Sequence, residues 1–138
     1  MKEINTYLNF DGNCDAAMTF YSNCLGAELQ MSTMGNSQPN VPENAKDRIM
    51  HARILKGGTI LLMASDTMPG MPFLAGTNFS ISIQCESSTE VDSVFAALAE
   101  GGETTMAPAD AFWGARFGML KDKFGIHWML NYEFPKSA

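Results

Sequence analysis

The chain has 138 residues, a net charge of −6, and 46% hydrophobic against 17% charged residues. That composition excludes wholesale disorder, and the length predicts one domain over residues 1–138 that folds without a metal or disulfide staple. The acidic balance, with a pI near 4.7 and no Lys/Arg cluster, is unsuited to nucleic acid, where affinity comes largely from neutralising phosphates.

Residues 4–10 alternate apolar and polar side chains and predict a half-buried strand. Asp11-Gly12-Asn13 then supplies turn chemistry and a helix start, with Asn13 a candidate cap. From Cys14 to Leu25, the residues Ala17, Met18, Phe20, Tyr21, Cys24 and Leu25 draw one helical stripe, and Gly26 stands where a left-handed C-cap is wanted. Ala27 to Met34 reads as a strand. Residues 35–46, with Pro39 and Pro42, read as a polar surface loop. Two apolar runs around Gly57-Gly58 predict a hairpin. Residues 66–77 form a second loop that carries Met68, Met71, Phe73 and Leu74, and so either packs on the body or lids a pocket.

Asn78 to Gln84 alternates again. Ser87-Ser88-Thr89-Glu90 fits a capping box ahead of a helix whose stripe is Val91, Val94, Phe95 and Leu98, and Gly101-Gly102 ends it. Glu103 to Ala107 predicts a short strand broken by Pro108-Ala109-Asp110. Residues 112–121 and 126–132 flank Asp122-Lys123-Phe124-Gly125 as another hairpin. No apolar run approaches the ~20 residues of a spanning helix, so no membrane segment is expected. The N-terminal residues lack an apolar stretch behind a basic start, so no signal peptide is expected. Cys14, Cys24 and Cys85 are odd in number and form no CxxC, which argues against a disulfide framework or thiolate zinc site and for a reducing cytoplasm.

The order strand, helix, strand, strand, strand occurs twice. Phe20 stands six before Gly26 as Phe95 stands six before Gly101, an offset of 75, while Ile54-Leu55-Lys56 matches Met119-Leu120-Lys121 at an offset of 65. The loop at 35–46 accounts for the difference. The expected fold is α+β: duplicated βαβββ modules, about 1–76 and 77–138, curling a mixed sheet into a cup around a cleft with helices outside.

The duplicated pattern resembles the vicinal oxygen chelate superfamily of glyoxalase I and bleomycin-resistance proteins, and within it the PhnB-like branch. The residues that carry the resemblance are Tyr7 to Cys14 with Phe20-Tyr21, Leu25 to Glu28, His51-Ala52, Ser65 to Pro69, Phe112-Trp113-Gly114, Phe117-Gly118 and, most specifically, Asp122 to Asn131. The resemblance implies a pocketed sheet in a homodimer. In metal-dependent relatives, four inward His or Glu side chains hold a divalent ion that acts as a Lewis acid. The matching positions here are Thr6, Leu62 or Met63, Asn78 or Ser80, and Leu130 or Asn131. None is an imidazole or carboxylate, so no metal and no cofactor is expected. PhnB-like sequences also carry a demethylubiquinone methyltransferase label. The strand-to-helix turns Asp11-Gly12-Asn13 and Cys85-Glu86-Ser87-Ser88 are not Gly-rich and give it no support.

His51 is the one catalytic candidate. With His127 it could serve acid–base work, or it is a surface or hydrogen-bonded strand residue. Cys14 starts a helix, where the macrodipole can lower a thiol pKa, but no base is identifiable and burial explains it. The ligand-binding candidates are Met63, Asp66, Phe112, Trp113, Trp128 and Asn131. Asp66, with Glu86, Asp110 and Asp122, could attract a cation or cap turns. Met63, Phe112, Trp113 and Trp128 suit a pocket or a core. Asn131 could orient a polar ligand group or pair with backbone. The expected function is metal-independent binding of an unidentified small molecule. A lyase, isomerase or dioxygenase-type enzyme using the same cleft is the rival reading, and a dimeric interaction module a third.

Overall fold

The structure is a computed structural model that describes residues 1–136. The chain divides into two compact units, Met1–Leu74 and a second starting at Ala75. The first contains β1 (Tyr7–Phe10), α1 (Cys14–Leu25), β2 (Glu28–Thr33), a short α2 (Met34–Ser37), β3 (Ile49–Lys56) and β4 (Thr59–Asp66). The second contains β5 (Ile81–Gln84), α3 (Ser88–Ala99), β6 (Glu103–Ala111), β7 (Ala115–Lys121) and β8 (His127–Glu133).

Each unit forms its own four-stranded mixed sheet. The orders are β1-β4-β3-β2 and β5-β8-β7-β6, with the first strand of each unit parallel to its last and the other neighbours antiparallel. The same connectivity twice over is the duplication that the sequence pattern announces. The hydrogen-bonded ladders close within each unit, giving two four-stranded sheets.

Strand alternation sends one face of each sheet to its helix. In the first unit Leu8, Phe10, Ala52, Ile54, Leu62 and Ala64 are buried together with Ala17, Met18 and Tyr21 of α1. In the second, Leu120, Trp128 and Leu130 are buried with Val91, Phe95 and Leu98 of α3. Full burial of each large apolar side chain contributes roughly 1.5–3 kcal/mol. Gly118 belongs to the same layer, because a Cβ there would stand 3.0 Å from the Phe95 ring. The absence of a side chain lets α3 sit down on β7.

Local signals hold where they depend on chain neighbours. Gly26 adopts φ 59° as the C-cap of α1. The Ser87 hydroxyl accepts from Glu90 N, and the Glu90 carboxylate accepts from Glu86 N. Some expectations need correction. The loop at 35–46 shares α2 and carries a 3-10 turn at Glu43–Ala45. The second unit's first strand starts at Ile81, not Asn78. The strand ending at Ala107 instead runs through Pro108 to Ala111, because β6 is an edge strand whose register shifts between Thr104 and Met106 and again between Met106 and Ala109. An edge with bulges tolerates a residue that cannot donate. The 65-residue offset also slips by one residue at Ile54, which is buried. Its proposed match, Met119, lies on the opposite face from the buried Leu120. The β3–β4 ladder shifts register between Ile54 and Leu55. No helix among the described residues is long and apolar enough to cross a membrane.

Gly118→Ala should destabilise the protein by about 1–3 kcal/mol, because the added methyl meets a buried ring. Urea unfolding measures it. An unchanged midpoint would mean that Phe95 yields freely.

Candidate functional site

Two buried aspartates organise the backbone around the sheet ends. Asp66, at the end of β4, accepts from Gly12 N at 2.8 Å and Cys14 N at 3.0 Å through Oδ1, and from Ile49 N at 2.8 Å through Oδ2. One carboxylate thus caps α1, holds the β1–α1 turn and anchors the start of β3. Asn13 makes no side-chain cap bond, so the cap comes from 53 positions away (66 − 13) rather than from its neighbour. Asp122 accepts from Phe124 N and Ile126 N through Oδ1 and from the Trp128 indole N–H through Oδ2 at 2.8 Å. Both carboxylates are therefore committed to the protein's own donors. Around Asp66, Arg48 bonds the Asp11 carboxylate at 3.0 Å and the Thr67 carbonyl at 2.8 Å, which holds the Asp11 carboxyl below its usual range.

The family label raises the question of a nucleotide-type methyl donor, whose phosphate or carboxylate groups normally sit on free N–H groups at a helix N-terminus. At α1 the Gly12 and Cys14 N–H groups serve Asp66, and at α3 the Glu86 and Glu90 N–H groups serve Glu90 and Ser87. These residues do not fit such a group. The metal positions fare the same. Leu62 and Leu130 are buried hydrocarbons, Thr6, Asn78 and Ser80 lie on exposed chain outside the strands, and Asn131 offers an amide. Among the described residues no group of three or more His, Cys, Asp or Glu is arranged to hold an ion.

The face of the first sheet away from α1 is polar. Register sets Tyr7, Met63, Arg53 and Gln30 in one row across all four strands. Tyr7 Oη lies 3.1 Å from His51 Nδ1, and Arg53 Nε donates to Gln30 Oε1 at 2.8 Å. Met63 and His51 are half-buried on this face. Asp66, two residues past Ala64, points instead to the α1 side.

The second unit carries a cavity of about 440 Å³. Trp113, Gly114, Asn131 and Phe134 line it, with exposed Glu133 and Lys136. The Phe134 N–H donates to the Gly114 carbonyl at 2.9 Å, tying the chain after β8 to the β6–β7 turn. Trp113 packs edge-on against Phe112 at 5.2 Å and Phe117 at 5.9 Å, and Phe117 is the cross-strand partner of Asn131. The Asn131 amide donates to Gln84 Oε1 at 3.0 Å, which aims its carbonyl oxygen. Trp113 and Asn131 thus share one cavity. Phe112 is 98% exposed beside it. Trp128 lies three residues from Asn131 and so faces α3, 1% exposed, with its N–H spent on Asp122. One sheet surface cannot carry both, and Trp128 is a core residue. The sequence reading overlooked Tyr7, Arg53, Gln30 and Phe134. Strand alternation from His51 would have found Arg53; the others needed register.

The sequence model of the 3-demethylubiquinone-9 3-methyltransferase family matches residues 2–131. The chain belongs to that PhnB-like family. Protein YjdN of Escherichia coli K12 is 31% identical over 140 residues, covering 93% of each chain. The crystal structure of PA1353 from Pseudomonas aeruginosa is 40% identical, covers 98% of this chain and 100% of its own, and superposes with a TM-score of 0.84. The PhnB protein of Bacillus cereus, described as a putative 3-demethylubiquinone-9 3-methyltransferase, is 28% identical with a TM-score of 0.76 and coverage of 95% and 99%. More distant structures described as glyoxalase/bleomycin resistance protein/dioxygenase, from Nocardioides and Burkholderia phytofirmans, share the fold.

Cys14 and Cys85 are buried and form no disulfide, and their surroundings raise both thiols. Burial first, then the charges of Asp66 and Asp15, pushes the Cys14 thiol from 9.0 to about 12. Burial first, then Glu90, pushes Cys85 to about 11. Both stay protonated in the native state beyond the pH at which the unfolded chain ionises. Stability should therefore fall as pH rises above about 9, the loss from Cys14 continuing to about 12. Urea titrations across that range measure it, and Cys14→Ala should flatten the slope. Asp66→Ala should cost more than about 3 kcal/mol, since it strands N–H groups from three segments at once, while Asp66→Asn should lose less. Thermal unfolding of the two variants checks the order.

Proposed function

We propose that this chain is a metal-independent small-molecule-binding protein that holds an amphipathic ligand in the second unit's cavity. The observation that carries the reading is the meeting of an aromatic wall with an oriented amide. Trp113 and Phe134 offer apolar surface, and Asn131, positioned by Gln84, offers a carbonyl acceptor. About 440 Å³ falls within the ~300–1,000 Å³ of small-molecule sites. The metal independence rests on the positions where the resemblance places metal ligands, which carry hydrocarbon, thioether, hydroxyl or amide groups in this sequence. Met63 and Phe112 are further ligand-facing candidates, Met63 through the open face of the first sheet.

We further propose a cytoplasmic homodimer. The free cysteines support a reducing compartment, and exposed Phe112, Leu74 and Ile4 support contact with a second copy. Sedimentation of the purified chain should give twice the 15.1 kDa mass. A lyase, isomerase or dioxygenase-type activity is the second reading, and the Tyr7–His51 hydrogen bond is what favours it. Turnover abolished by His51→Gln would decide for it.

The binding reading is tested with 8-anilinonaphthalene-1-sulfonate as an amphipathic probe. Trp113 is half-exposed and Trp128 buried, so quenching on binding should come from Trp113. Saturable binding should survive EDTA, and Trp113→Phe and Asn131→Ala should each weaken it by up to about tenfold, or ~1.4 kcal/mol. Affinity unchanged in both variants, or abolished by EDTA, would overturn the reading.

A further inference from the structure

We propose that the open face of the first sheet carries a second site, built from other residues than the cavity above, that takes the oxyanion headgroup of a small molecule, a carboxylate or a phosphate. The site is a cavity of about 290 Å³ lined by Gln30, Ser32, His51 and Arg53 together with Met31. Its centre is Arg53. Of the three arginines, Arg48 is paired with Asp11 at 3.0 Å, and Arg116 with Asp92 at 2.8 Å and Asp110 at 3.0 Å. Arg53 has no carboxylate partner among the described residues; its Nε donates to the neutral Gln30 amide. In a chain of net charge −6, an unneutralised guanidinium on a half-buried strand position is the exception.

The geometry of that exception suits an anion. Gln30 holds the Nε edge of the guanidinium and fixes its plane, leaving both terminal nitrogens as a fork of donors. Gln30 and Arg53 are direct cross-strand partners, and so are Ser32 and His51 one row further along. Four donor-bearing side chains therefore come from two adjacent strands with no loop between them, a rigid platform. The Ser32 hydroxyl supplies a further donor. When the Tyr7 O–H donates to His51 Nδ1, the imidazole carries its proton on Nε2, adding a neutral donor to the set. No carboxylate is among the residues that line the cavity; the nearest one bonded to it is Glu28, whose Oε1 accepts from the Gln30 amide at 3.4 Å.

The test is a nitrogen-15 NMR titration of the full chain with sodium phosphate in one arm and sodium benzoate in the other, at constant ionic strength. Saturable shifts are expected at the amides of Gln30, Ser32, His51 and Arg53 and at the Arg53 guanidinium, and the arm with the tighter fit identifies the headgroup. Arg53→Gln should weaken binding at least about tenfold, and Arg53→Lys, which keeps charge without the fork, severalfold. Gln30→Ala should weaken it less while leaving the fold intact, and native spectral dispersion in each variant excludes unfolding as the cause. Shifts that never saturate, or saturable binding that Arg53→Gln leaves unchanged, would overturn the proposal. Failure here leaves the Trp113 cavity untouched, since that test uses other residues and another probe.

Discussion

The carboxylate of Asp66 is the constraint on which the first unit depends. A helix N-terminus and a strand start both expose N–H groups that need acceptors, and in a buried setting water cannot supply them. Asp66 answers for Gly12, Cys14 and Ile49 at once. It sits on the last residue of β4, the strand that runs parallel to β1, so the bonds it makes fix the turn that follows β1 against its own ladder. Asp122 repeats the device in the second unit with different donors, joining the β7–β8 turn to the buried Trp128 indole. Each unit is thus closed by one ionisable group whose acceptor capacity is directed inward.

The same alternation that buries these groups separates structure from chemistry. On each sheet, residues of one parity meet a helix and residues of the other face away from it. Leu62, Ala64, Trp128 and Leu130 are spent on packing. Tyr7, His51, Arg53 and Met63 in one unit, and Asn131 and Phe117 in the other, are left for interaction. These faces carry amide, hydroxyl, imidazole, guanidinium and thioether groups, which make hydrogen bonds and apolar contacts.

Membership of a family named for methyl transfer sits beside residues that do not favour that chemistry. At both helix starts side chains take up N–H groups, Asp66 from β4 at α1 and Ser87 with Glu90 at α3, and the positions that the resemblance assigns to metal ligands carry hydrocarbon, thioether, hydroxyl or amide groups here. A fold transmits architecture more faithfully than activity, because the packing face and the open face of a strand are free to change independently.

The sequence by itself determined what depends on near neighbours and on periodicity: the strand and helix order, the Gly26 cap, the Ser87 cap with Glu90, and the duplication itself, since each is written in residues a few positions apart. It also singled out Trp113 and Asn131, which the fold brings to one cavity. It left Trp128 open between pocket and core, and the pleat sends it, three residues from Asn131, to the opposite face, where it is buried. Asn13 looked like the helix cap, and a carboxylate from β4 does that work. The pairing of Arg53 with a neutral amide in place of a carboxylate among the described residues, its row with Gln30 and Met63, and the hydrogen bond from Tyr7 to His51 were decided only by tertiary structure. Each depends on which residues of different strands stand opposite one another, and register is set by long-range pairing and bulges that no local pattern encodes.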